Sequence, residues 1–120
     1  KYFVNQYHDE RRHAHKLQKF ASNWAVYPEL PQIKPVQADS FSDLIDIIES
    51  AYKMEYDLCE AYEADYKNVA GNNAKLADLI TDFTKIQAKS VIEYADMLKV
   101  LDGCANDKFT MLKLEKKLFK

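Results

Sequence analysis

Glycine and proline are scarce: the 120-residue chain holds two Gly and three Pro. Long helices tolerate so few breakers, whereas tight-turned sheets and disordered chains do not, so a helical protein is expected. Two cysteines, Cys59 and Cys104, are too few for a disulfide scaffold and fit a reduced, cytoplasmic setting. No sign of charge dominates. Seventeen Lys and Arg against nineteen Asp and Glu give a net charge of −2, which offers no electrostatic basis for binding nucleic acid. No apolar run is long enough to span a bilayer, so no membrane partner is expected, and no N-x-S/T acceptor occurs. A phosphate-binding loop, a nucleophile elbow and a C-x-x-C pair are also missing. The chain opens at Lys1 rather than Met, so a missing leader carries no weight.

Helical periodicity is plentiful. Phe3, Glu10, Leu17 and Trp24 recur every seven residues, as do Gln6, His13 and Phe20, which predicts a helix from the first residue to about residue 24. Pro28, Pro31 and Pro35 then mark a loop running to about residue 40. Ser40 or Ser42 can cap a second helix, with Asp43 in its first turn. That helix reaches about Val69 with Leu44, Ile48, Ala51, Leu58 and Tyr62 on one stripe. After Gly71-Asn72-Asn73 comes a third helix to about Leu101, with Ile80, Phe83, Val91, Tyr94 and Leu98 inward. Gly103 closes it, and Asp107 can cap a short fourth helix to Lys120. Met54 and Cys59 read as helix packing, and Tyr52, Tyr56, Tyr62 and Tyr66 as half-buried packing.

Connection lengths set directions. The second helix would be roughly 43 Å long at 1.5 Å per residue. The proline-containing loop can reach roughly 50 Å when extended, far enough to cross a whole bundle and leave the first two helices parallel. The break at residues 71–73 cannot, so helices two and three are expected to be antiparallel neighbours. One long crossover is the ferritin-like way of building a bundle.

Four polar residues interrupt these apolar stripes: Glu10 and His13 in the first, Glu55 in the second and Gln87 in the third. A carboxylate in a helix interface is costly unless it is paired or binds metal. Glu55 lies 17 residues before Asn72 and Gln87 lies 15 after it, so an antiparallel pair brings them to nearly one height. Glu10 and Glu55 each stand about 14 residues before the end of their helix, so a parallel pair levels them too. Glu10-Arg11-Arg12-His13 places an acid and an imidazole on one helix face, a donor set suited to iron or manganese in a bundle core. Taken singly, Glu10 and His13 also read as a surface pair, Glu55 as half of an internal ion pair, and Gln87 as a hydrogen-bonded core amide. His8, Asp9, Arg12, His15 and Lys16 lie off the stripe and read as a solvated face; Asp78 and Asp82 read as exposed.

The run from Lys1-Tyr2-Phe3 through Asp9-Glu10-Arg11-Arg12-His13-Ala14 to Leu17 resembles the second bundle helix of the ferritins, with its Glu-Glu-Arg-x-His-Ala pattern. Leu30-Pro31-Gln32-Ile33 is similar to that family's crossover, Ala51 to Glu55 to its third helix, Ile86-Gln87 through Leu98 to its fourth, and Phe109 to Phe119 to its short terminal helix. The resemblance implies an all-α fold: a ferritin-like four-helix bundle with one long crossover, here lacking the first helix, plus a short C-terminal helix. Residues 1–120 would form one ferritin-like domain, incomplete at its N-terminus.

The resemblance further implies iron storage and detoxification. Fe(II) is oxidised to Fe(III) by oxygen or peroxide at a di-iron site, and ferric mineral is held inside a large hollow homo-oligomer. Glu10 would bridge two irons, His13 would bind the first and Glu55 the second, with Gln87 an outer polar residue of the site. Ferroxidase activity is implied for the intact chain and left open for this 120-residue form, because the family's remaining carboxylate comes from its first helix. The alternative is a non-catalytic shell subunit with an inert site. Arg11 stands after Glu10 where bacterioferritins carry the Met that holds haem, so haem is not expected. Ala88, Lys89 and Ser90 replace the accessory carboxylates of some bacterial ferritins, and Arg12 and His15 dilute the acids of the cavity-facing surface. Tyr27 and the Leu112/Leu118 face of the last helix would be covered by neighbouring copies.

Overall fold

The computed structural model describes residues 1–35, 41–104 and 106–119. Four helices follow in order: α1 (Tyr2–Asn23), α2 (Leu44–Val69), α3 (Ala74–Asp102) and α4 (Lys108–Leu118). Strands do not occur among the described residues, and no described helix is long and apolar enough to cross a membrane. The chain divides into two compact units, residues 1–37 with 115–120, and residues 38–114.

In the first unit α1 is a 22-residue helix that buries none of its residues. It ends in a Schellman turn: Ala25 N–H donates to the Ser22 carbonyl at 3.0 Å and Val26 N–H to the Ala21 carbonyl at 2.9 Å. Ala25 takes the left-handed conformation this turn demands, with φ 55°. Alanine is an uncommon choice there, because its Cβ crowds the carbonyl. Residues 26–35 run on without regular structure, as the three prolines predict. Phe119 closes on the rings of Tyr2 and Phe3, with centroids 5.3 and 5.9 Å away.

The second unit is built on an antiparallel hairpin of α2 and α3. Glu55 meets Gln87, and Tyr62, seven residues on, stacks on Phe83 with centroids 5.7 Å apart, so the partner number falls as the α2 number rises. Ile48, Ala77, Leu79, Ile80, Phe83, Tyr94, Met97 and Leu101 form the core. Val91 and Leu98, expected inward, are only half-buried. Leu58 and Met54, expected to pack, are 36% and 71% exposed. The seam of α2 runs through Ile48, Glu55, Cys59 and Tyr62, and Leu58 lies about 80° around the helix from Ile48.

The caps differ in one respect from expectation. Asp43, and not Ser42, caps α2: its Oδ1 accepts from the Asp46 N–H at 2.8 Å. Ser42 instead donates its backbone N–H to the Asp46 carboxylate at 3.0 Å, the reciprocal half of a capping arrangement. Ser40, the other candidate, lies outside the described residues. Asn73 caps α3, its Oδ1 accepting from Leu76 N–H at 3.0 Å. Asp107 caps α4 as predicted, accepting from Phe109 N–H at 3.0 Å and from both the N–H and hydroxyl of Thr110. That helix closes at Leu118 rather than Lys120. Gly103 does terminate α3, but in a right-handed conformation with φ −64°, so its glycine freedom is not what ends the helix.

Candidate functional site

Glu55 and Gln87 come together as their similar distances from the Gly71–Asn73 turn predict. Gln87 is 4% exposed, the one buried polar residue among those described. Its amide Nε2 donates twice to the same residue across the hairpin, to the Glu55 backbone carbonyl at 3.0 Å and to the Glu55 carboxylate Oε2. The carboxylate is half-buried. An amide with both N–H groups committed to one residue fixes that side chain's rotamer, the kind of support that orients a ligating carboxylate. Gln87 thus binds the Glu55 carboxylate and also grips the α2 backbone, a contact that periodicity alone does not reveal.

Glu10 and His13 face each other one turn apart on α1, with Oε1 3.5 Å from the ring Nδ1. Glu10 is half-exposed and His13 more sheltered, at 49% and 27% side-chain exposure. The two arginines between them are engaged elsewhere. Arg12 pairs with Asp9, and Arg11 donates to the Tyr7 hydroxyl at 3.4 Å with its guanidinium 5.7 Å from that ring's centroid. Neither cation is thus held against Glu10. The two halves of the predicted constellation belong to different units, Glu10 and His13 to one and Glu55 and Gln87 to the other. Within neither unit alone do three or more described His, Cys, Asp or Glu gather to hold a metal ion.

Taken unit by unit, the first offers a carboxylate and an imidazole, Glu10 and His13, and the second a carboxylate with an orienting amide, Glu55 and Gln87; oxygen and imidazole donors of this kind suit a hard or borderline cation such as iron. Cys59, one turn beyond Glu55, is a poor candidate ligand. Burial, with smaller contributions from Glu63 and Glu60, pushes its thiol pKa above the ordinary 9.0, so it stays protonated at neutral pH. Tyr56 is likewise raised above 10.0, chiefly by the negative charge of Glu60. Asp78 and Asp82 are exposed as expected.

Of the residues expected on a solvated face, Asp9 is half-buried and pairs with Arg12. His8, Arg12, His15 and Lys16 are exposed, and with Arg11 and Lys19 they form one open, shallow basic stripe along α1. The i, i+3, i+4, i+7, i+8, i+11 spacing of these six residues was the available signal.

The ferritin family model, described as a ferritin-like domain, matches residues 1–104. Among solved structures, an open-pore ferritin from the hyperthermophilic archaeon Archaeoglobus fulgidus superposes with a TM-score of 0.88 at 18% identity, covering 94% of this chain and 69% of that one. A second structure of that ferritin gives 0.86 at 18% identity, with 94% and 70% coverage. A humanized archaeal ferritin gives 0.87 at 19% identity, with 94% and 69% coverage. At these identities the likeness is one of fold, and it matches the all-α bundle read from the sequence.

Proposed function

Since this chain belongs to the ferritin-like domain family, we propose that it takes up Fe(II), oxidises it to Fe(III) and stores the ferric product within a self-assembled shell. The observation that carries the reading is the Glu55–Gln87 clamp: a half-buried carboxylate in a helix seam, held by a buried amide instead of being replaced by an apolar side chain. In this reading Glu10 would serve both irons, with His13 on the first and Glu55 on the second. Gln87 holds the Glu55 carboxylate at a fixed angle. The protein's contribution is to bring two Fe(II) ions together with open positions for the oxidant. Each iron gives up one electron, and the pair reduces one O2, with two protons, to H2O2. With peroxide as oxidant, the same two electrons and two protons give two waters. No haem takes part. The setting proposed is the cytoplasm.

Self-association fits the surface. Tyr27 and Leu112 are 79% and 59% exposed, apolar area that a neighbouring copy would cover; the Leu118 side chain lies outside the described residues. The test is stopped-flow Fe(II) oxidation under oxygen with the parent and Glu10→Ala. Rapid oxidation in the parent and its loss in Glu10→Ala, with helicity unchanged, is the expected result. Equal rapid rates in both would remove Glu10 from the chemistry, and a parent no faster than Fe(II) in buffer would leave the alternative, a shell-forming subunit with an inert site.

A further inference from the structure

We infer that the open basic stripe of α1 is a binding site for a short inorganic phosphate chain such as tripolyphosphate. His8, Arg11, Arg12, His15, Lys16 and Lys19 line it, and none of its described lining residues carries a carboxylate. From His8 to Lys19 the stripe extends about 16 Å at the helical rise. Four of the six residues are permanent cations on a chain whose net charge is −2, so this concentration of positive charge is local and not a property of the whole molecule.

Two contacts within α1 prepare the site. Arg11 is laid over the Tyr7 ring and donates to its hydroxyl, and Arg12 is steadied by Asp9. Held guanidiniums lose less side-chain entropy on binding, and their planar forks match the paired oxygens of a phosphate. Lys16 and Lys19, one and two turns further on, add point charges for the next phosphate groups of a linear anion. A single-stranded nucleic acid fits less well. Such strands are held by aromatic platforms interleaved with charge, whereas the lining residues are all basic and the nearby Tyr7 ring is capped by Arg11. The inference rests on the charge and geometry of α1 and not on the iron reading, so either can fail without the other.

The experiment is calorimetric titration of the full chain with sodium tripolyphosphate at low ionic strength. Saturable binding is expected. The double variant Arg11→Gln/Arg12→Gln should bind roughly a hundredfold more weakly, about tenfold for each charge-assisted contact removed. Lys16→Gln/Lys19→Gln should also weaken binding, and provides a second reading should the arginine variant lose helicity. Lys85→Gln/Lys89→Gln on α3 removes the same charge elsewhere and should leave the affinity unchanged. No binding by the parent, or equal weakening in the α3 variant, would overturn the assignment. So would tighter binding of a single-stranded oligonucleotide of matched charge, which would give the stripe to nucleic acid.

Discussion

Replacing Gln87 with Leu tests the Glu55 clamp most directly. The volumes are close, so the change creates little cavity and isolates the polar loss. Two donated hydrogen bonds disappear, one to the Glu55 carbonyl at 3.0 Å and one to its carboxylate. The carbonyl loss is small, because that oxygen keeps its place as a helical acceptor within α2. The carboxylate loss decides the outcome. A hydrogen bond to a charged group contributes about 1.5–3 kcal/mol, and the half-buried carboxylate regains part of it from water. A net cost of about 2 kcal/mol follows, or a fall in Tm of roughly 6–10 °C for a domain near this size. Thermal melts followed by far-ultraviolet circular dichroism measure it. A Tm within about 2 °C of the parent would mean that the clamp contributes little and that Gln87 is a tolerated core amide. Under the iron reading the same variant has a second signature. A ligating carboxylate that loses its orienting partner commonly loses 10- to 100-fold in metal affinity or activity, measurable in Fe(II) titrations of the folded variant.

Phe83, 2% exposed and stacked on Tyr62, anchors the hairpin core; Phe83→Ala should cost roughly 3–5 kcal/mol in urea unfolding, and a loss below about 1 kcal/mol would show that the seam repacks around it. Ala25 sits at φ 55°, so Ala25→Gly should stabilise the end of α1 by about 0.5–1 kcal/mol, and a destabilised variant would argue against the Schellman turn. Asp107 has its carboxyl pKa held below the ordinary 3.8, chiefly by the Thr110 hydroxyl and then its N–H. Its contribution to α4 is therefore complete above the unfolded value and lost as pH falls through the lowered folded one. Amide exchange at Thr110 should accelerate at that acid end in the parent and be fast at every pH in Asp107→Ala; identical profiles would discard the cap. Cys59 should react with iodoacetamide more slowly at mildly alkaline pH than a free thiol, since burial raises its pKa, and parity with a free thiol would contradict that burial.

The sequence by itself determined the helices and the direction of one hairpin. Periodicity placed both ends of α1 and α3 and the C-terminal end of α2 within a residue or two, because each has an apolar stripe with a local stop or cap, while α2 begins at Leu44, about three residues later than its expected length implies. The three-residue break at Gly71–Asn73 is too short to span a helix, so it forces α2 and α3 antiparallel, and counting outward from it brings Glu55 to Gln87. Such relations are local or follow from chain length, and composition carries them. Tertiary packing decided the rest. Leu44, Leu58 and Ile48 look alike in sequence, yet only Ile48 is fully buried, because the seam angle of α2 depends on which residues of α3 oppose it. The second bond of Gln87, to a backbone carbonyl, arises only when two helices meet at a fixed separation. The choice of Asp43 over Ser42 as cap turned on where the chain bends into α2, a bend that residue type leaves open. The left-handed Ala25 is the plainest case: no residue preference announces it, and the turn ending α1 imposes it.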